Sequence, residues 1–298
     1  MVHLTNDYRK LLRKNGPKAA LSFCVALALS GGLVSAEGNS IEVGWMRGGE
    51  GTIQEGTDET GKVTIHNLMT WGNPEAYVKG KQITVEDAKN WGGKIFIGSD
   101  ATDSADVKGI QAGNNTETAI QGNTISVGII GTGSGKFTIG NKNSSSVIIN
   151  DFEAGDGSDS TINGRSVSMG SLNNYKGTVT IGNRNTNSVT INDFGAAEGS
   201  STTINGRIVS MGSLNNYKST VTINAGGAFK VEKDEKLQEI GVNNGGGISI
   251  TAGSVRSGKL YATNPGSHID VHASGDDGVY GEGFDRFKVG KKIGLPKK

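Results

Sequence analysis

Beyond residue 36 the apolar residues of this chain fall into short alternating runs that recur every 42 positions. Ile41-x-Val43, Ile83-x-Val85, Ile125-x-Val127, Val167-x-Met169 and Val209-x-Met211 form one column. Ile95, Phe137, Val179 and Val221 form a second, each followed two residues on by an isoleucine (Ile97, Ile139, Ile181, Ile223). A third pairs Ile65, Val107, Ile149 and Ile191 with Leu68, Ile110, Phe152 and Phe194 three residues later. Residues 136–177 and 178–219 agree at 29 of 42 positions, so the period holds without insertion. Such alternation turns one side of a strand inward. The Gly, Asn, Asp and Ser clusters between runs suit tight turns. Within one unit the runs begin near Ile125, Phe137, Val147 and Thr161, too close together for helices to intervene.

A fixed period of this size marks stacked units, because one unit cannot bury its apolar face alone. Parallel strands normally need a long crossover, and in a solenoid the rest of the coil supplies it. The expected fold is all-β: an elongated parallel β-helix (β-solenoid) of 42-residue repeats, two coils to a repeat. With ~4.8 Å between stacked strands, about nine coils would span residues 38–224 and reach roughly 40 Å. Stacking places Asn150 with Asn192, and Asn163 with Asn205, on common edges where Asn ladders would form. After Asn224 the register breaks. It resumes one residue early at Gly247-Ile-Ser-Ile250, and Ile269-Asp-Val271 reads as one further rung. The chain thus divides into a regular solenoid (37–224), degenerate coils (225–275) and a Gly/Lys-rich tail expected to be disordered (276–298). Past residue 36, only 230–240 leaves room for a helix.

Composition adds to this picture at three points. Apolar residues are only 34% of the chain, low for a globular core, but their register and the near-zero net charge argue against disorder. The charge of +1 is unevenly spread. Residues 1–36 hold five bases (Arg9, Lys10, Arg13, Lys14, Lys18) against Asp7, leaving 25 bases and 28 acids elsewhere, no clustered basic face and no reason to expect nucleic acid. The basic segment precedes the apolar stretch 19–33, and Val34-Ser-Ala36 offers a small-x-small cleavage site. Residues 1–36 therefore read as a signal peptide cut after Ala36. The alternative, a membrane anchor, is disfavoured because the apolar run is broken by Gly31-Gly32 and falls short of the ~20 residues that span a bilayer. The single cysteine, Cys24, lies in that segment, so the exported body would be held by backbone pairing and packing without disulfides.

Candidate chemistry is sparse. Gly131-Thr-Gly-Ser-Gly-Lys136 lacks the first glycine and the Ser/Thr of a phosphate loop, and reads as a solenoid turn. Asp151, Glu153, Asp156 and Asp159, like Asp100, Asp103 and Asp106, have calcium-type oxygens, but the next repeat keeps only Asp193 and Glu198. They read as solvated loops. His268, Asp270 and His272 share a strand face whose neighbours are ~6.8 Å apart, too far for all three to share one metal. No catalytic constellation emerges, and no cofactor or metal site is expected. The feature suited to binding is a column of Trp91, Tyr175 and Tyr217 in the turn after the first strand, each following an Asn. Exposed aromatics and amides suit sugar or protein ligands; the competing reading is a ring folded over the coil edge as a packing cap.

A long basic signal peptide followed by a cysteine-free, Gly/Asn/Thr-rich array with Thr178-Val-Thr-Ile181 runs resembles the passenger region of type V autotransporter adhesins of Gram-negative bacteria. The resemblance covers residues 1 to about 275 and rests on architecture, so no functional residue carries over. It implies export across the inner membrane, threading through an outer-membrane barrel and folding on the cell surface; that barrel is not encoded in this sequence. The expected function is an exported structural or adhesive protein presenting repeated loops to a host or bacterial surface glycan or protein. Repetition favours many weak contacts adding through avidity. The alternatives are a secreted β-helix enzyme acting on polysaccharide and, less favoured, an ice-binding protein. The last is disfavoured because the Thr178-Val-Thr180 type of pair recurs only once in each repeat.

Overall fold

The computed structural model describes residues 34–37, 39–233, 236–238, 240–258, 260–262, 266–273 and 279–280. The basic and apolar parts of the proposed signal peptide, and all but two residues of the 276–298 tail, lie outside them. Val34–Glu37 (β1), which contains the proposed cleavage residue Ala36, runs antiparallel to Ser40–Gly48 (β2). Short and long strands then alternate. They are Thr52–Glu55 (β3), Lys62–Thr70 (β4), Glu75–Val78 (β5), Gln82–Asn90 (β6), Lys94–Ile97 (β7), Ser104–Ala112 (β8), Glu117–Ile120 (β9) and Thr124–Thr132 (β10). The pattern continues through Lys136–Ile139 (β11), Ser146–Ala154 (β12), Asp159–Ile162 (β13), Ser166–Asn174 (β14), Thr178–Ile181 (β15) and Ser188–Ala196 (β16). In Ser201–Tyr217 (β17) and Thr220–Lys233 (β18) the short and long strands run together. Lys236–Leu237 (β19), Ile240–Asn243 (β20), Gly247–Arg256 (β21), Leu260–Ala262 (β22), His268–Ala273 (β23) and Val279–Tyr280 (β24) complete the described stack.

From β2 onward every strand but β19 pairs in parallel with its equivalent one coil away, giving a β-solenoid of about 10 turns. The repeat seen in the sequence is two unequal coils. Thr124 lies opposite Ser146, and Ser146 in turn opposite Ser166, so the second step along the chain is shorter than the first. The turns account for the difference. One coil of each pair has turns of three and six residues, the other of four and three.

Within β12 the inward residues are Val147, Ile149, Phe152 and Ala154, and Asn150 and Asp151 both face out. Two consecutive outward residues turn the strand through a corner, so one long strand builds two sides of the coil and the short strand a third. The three apolar columns of the sequence are the core. Ile95, Phe137, Val179 and Val221 are all fully buried, as are Ile97, Ile139, Ile181 and Ile223 below them. At ~1.5–3 kcal/mol per large buried side chain, this thin core is the principal favourable term. Phe137 and Phe152 meet edge to face with centroids 6.2 Å apart.

The six-residue turn is local chemistry repeated four times. Gly56, Gly98, Gly140 and Gly182 open it with φ between 66° and 80°, a conformation that glycine adopts without strain. The next residue's N–H donates to a hydroxyl three positions on, as Ser99 does to Thr102 Oγ1 (3.0 Å) and Asn183 to Thr186 Oγ1 (2.9 Å). That hydroxyl donates in turn to a carbonyl of the preceding coil, as Thr102 does to Gly80 (2.8 Å) and Thr186 to Gly164 (2.8 Å).

Two expectations need correction. Gly170 stands between Asn150 and Asn192, so no Asn ladder forms there. The edge of Asn163 and Asn205 does carry Asn–Asn pairs between adjacent coils: Asn183 donates to Asn163 (3.1 Å) and Asn224 to Asn205 (2.9 Å). The 230–240 stretch is not helical at its described residues. β18 runs to Lys233 and turns back antiparallel as β19 before β20 resumes the long strand opposite Leu214. The break in register thus starts with a one-residue bulge at Gly226-Gly227 and is completed by an insertion at the coil corner.

Candidate ligand-binding surface

The residue after the last inward position of each long strand forms one column along the solenoid: Gly49, Trp71, Trp91, Gly113, Gly133, Gly155, Tyr175, Ala197 and Tyr217. Trp91, Tyr175 and Tyr217 are 52%, 47% and 44% exposed, and Trp71 joins them at 46%. Trp71 is the member that the sequence period hides, because it sits in the other coil of its repeat. It lies one coil from Trp91, which makes the two tryptophans axial neighbours.

Glycines of the column serve as beds for these rings. A Cβ on Gly49 would lie 2.8 Å from Trp71 Nε1, and one on Gly113 would lie 3.3 Å from Trp91 Cε3. One face of each indole therefore rests on backbone while about half of the side chain stays in solvent. Lys218 Nζ lies 5.6 Å from the Tyr217 ring and also reaches Glu198 of the previous coil (3.4 Å). Lys176 and Lys218 occupy the left-handed region, with φ of 59° and 50°, which closes each turn within three residues and projects the tyrosine outward.

The asparagines preceding the aromatics play a different part from the one expected of exposed amides. Asn90, Asn174 and Asn216 are at most 1% exposed. Asn90 Nδ2 donates to the Glu117 carbonyl (3.0 Å) and Thr118 Oγ1 (3.0 Å), while its Oδ1 accepts from Thr70 Oγ1 (2.8 Å). Asn174 Nδ2 donates to the Ser201 carbonyl (3.1 Å) and Thr202 Oγ1 (2.9 Å), and its Oδ1 accepts from the Gly177 N–H (3.0 Å). Each amide ties its own turn to the coil above, so the aromatic that follows projects from a fixed corner. These residues position the candidate surface rather than line it.

The remaining candidates disperse over the scaffold. Lys136 opens a strand, so 133–135 is a turn between β10 and β11. Asp100 accepts from Asn141 (2.6 Å), Asp151 from Ser171 (2.8 Å), and Asp156 faces Lys176 at 3.8 Å. Among the described residues no three acidic, His or Cys side chains gather in metal-ligating geometry. His268 and His272 are exposed on β23, with the His268 ring against Gly247.

Two titrating features went unrecognised in the sequence. His66 sits between two carboxylates, with Nδ1 2.8 Å from Glu86 and Nε2 3.0 Å from Glu42. Hydrogen bonds to Glu86 and then Glu42 raise its pKa above the ordinary 6.5. Glu55 takes the inward position held by Val78, Ile97 and Ile120 in later coils, and burial pushes its carboxyl up to about 7. The column position was readable; a charged residue inside it was not expected. Comparison with protein-family models, with curated proteins and with solved structures finds no match.

Proposed function

We propose that this chain is an exported adhesive scaffold, of the kind displayed by Gram-negative autotransporters, which binds surface glycan or protein through its corner column of aromatics. The observation that carries the reading is the half-exposed placement of Trp71, Trp91, Tyr175 and Tyr217 at one repeated corner, each held by a rigid turn. Flat aromatic faces with polar neighbours suit sugar rings and peptide loops. Equivalent sites a few coils apart allow several weak contacts on one extended ligand. Residues 1–36 would direct export, and an outer-membrane barrel would deliver the solenoid to the surface.

A glycan array and a reducing-sugar assay on the purified chain test this directly. Binding without turnover, weakened in Trp91→Ala and further in Trp71→Ala/Trp91→Ala, is the expected outcome. Sugar release abolished by a single Asp→Asn change would replace the adhesive reading with the polysaccharide-degrading one.

A further inference from the structure

The short strands present a third side of the solenoid, distinct from the aromatic corner. Its outward positions are the first and third residues of each short strand. In three successive coils these are Thr178 and Thr180, Ser201 and Thr203, then Thr220 and Thr222. The parallel ladder sets Thr178, Ser201 and Thr220 in one line and Thr180, Thr203 and Thr222 in a second. The second line extends through Thr161 and Thr138 of the preceding coils. The intervening coil, invisible to the sequence period, supplies the rungs whose absence counted against such an array.

Three properties of these hydroxyls suit an extended array. They carry no charge across the three central rungs. The register shows no bulge along these strands until after Gly206, so the rows of the net are unbroken. And whereas Thr102 and Thr186 spend their hydroxyls on turn bonds, the six array hydroxyls make no hydrogen bond within the described structure. The first line is exposed and the second half-exposed, so donors and acceptors stand open to solvent. β-Branching restricts each threonine to few rotamers, which orders methyl and hydroxyl groups alike.

The net repeats at ~4.8 Å along the axis and ~6.8 Å along the strand. A soluble ligand of ordinary size would use one or two of its points. A partner that uses all of them must be a solid repeating in both directions, uncharged, and able to donate and accept everywhere. The oxygen net on a prism face of hexagonal ice meets each condition. We propose that the Thr/Ser side spanning β15, β17 and β18 binds ice, with the hydroxyls and the waters held between methyl groups continuing the lattice.

The test is thermal hysteresis and crystal shaping by the purified full chain on a cooled microscope stage. Faceted crystals and a hysteresis gap are expected. Thr203→Lys, and independently Thr180→Lys, should lose most of that gap while circular dichroism and melting stay those of the parent. Thr84→Lys, on the side built by the first half of the long strand, should retain it. Round, unshaped crystals with the folded parent chain would overturn the proposal, as would equal loss in Thr84→Lys. Retention on insoluble polysaccharide without hysteresis, removed by the same lysines, would reassign the side to another solid. Glycan binding through Trp91 is read separately, so either proposal can fail alone.

Discussion

The short-strand side of the solenoid carries two different surfaces on one backbone. Over β5, β7 and β9 its first outward line alternates in charge, with Lys94 3.1 Å from Glu75 and 4.0 Å from Glu117. Its second line stacks Tyr77 on Phe96 with centroids 5.0 Å apart. Over β15, β17 and β18 the same two lines hold only threonine and serine. Inward residues barely change between the regions: Ile97 and Ile120 are answered by Ile181, Ile204 and Ile223. Backbone pairing and the inward column build the stack, and the outward lines are free to specialise because exposed pairs contribute little to stability. The comparison predicts that changes to the shared interior cost the same in both regions, whereas changes to the outward lines alter properties other than stability.

The largest effect is expected at the buried amides. Asn174→Ala would leave the Gly177 N–H, the Ser201 carbonyl and the Thr202 hydroxyl without their partner, a loss of about 2–4 kcal/mol. Asn90→Ala should cost a similar amount, although it lies under the charged region. Urea unfolding of both variants checks this; a neutral result at either site would break the equivalence of the two interiors.

Next comes Glu55, which interrupts the inward column at the N-terminal end. Its folded pKa of about 7 exceeds the ordinary 4.5, so the folded state holds its proton more tightly than the unfolded one. Stability contributed by the protonated form is full below about pH 4.5 and declines as pH rises through 7. Glu55→Ile should therefore gain little in pH-dependent stability at acidic pH and about 1–3 kcal/mol at mildly alkaline pH. Hydrogen exchange over β3 to β5, where an end coil opens locally, is the measurement. A gain independent of pH would show that the carboxylate is solvated.

A smaller gain is expected from Thr132→Asn. Thr132 occupies the position of Asn90 and Asn174 in the coil between them, and the hydroxyl it should satisfy, on Ser160, is buried without a partner. An amide there would restore the bond and stabilise by about 1 kcal/mol, seen as a higher urea midpoint.

These sites show what could be read in the letters and what could not. The inward columns were legible because burial selects mainly for apolarity, which therefore recurs with the period of the backbone. The division of each repeat into a longer and a shorter coil was not, because turns of different length tolerate the same Gly, Asn and Ser. That ambiguity hid Trp71 from the aromatic column and Thr203 from the threonine net, since both lie in the alternate coil. It also hid the buried role of Asn174: an asparagine beside an exposed tyrosine looks like a loop amide until the coil above it is placed.

The smallest effects concern the outward lines. Lys94→Thr removes the middle of the charge ladder, and Glu75, whose pKa is lowered by bonds from Tyr77 and then Lys94, loses one of two donors. Stability should fall only slightly, with the difference vanishing in high salt as exposed charges are screened. His66 follows the opposite pH logic from Glu75. Its folded pKa is raised by Glu86 and Glu42, so its contribution is present below pH 6.5 and disappears as pH passes through the folded value. His66→Gln should thus lower the melting temperature slightly at about pH 5.5 and leave it unchanged at about pH 9. No equivalent response is available to Thr180, Thr203 and Thr222, whose hydroxyls do not ionise in this range. A pH-dependent melting shift in Thr203→Val as large as that in His66→Gln would mean that the two surfaces are coupled through the core and are not independent coatings on one scaffold.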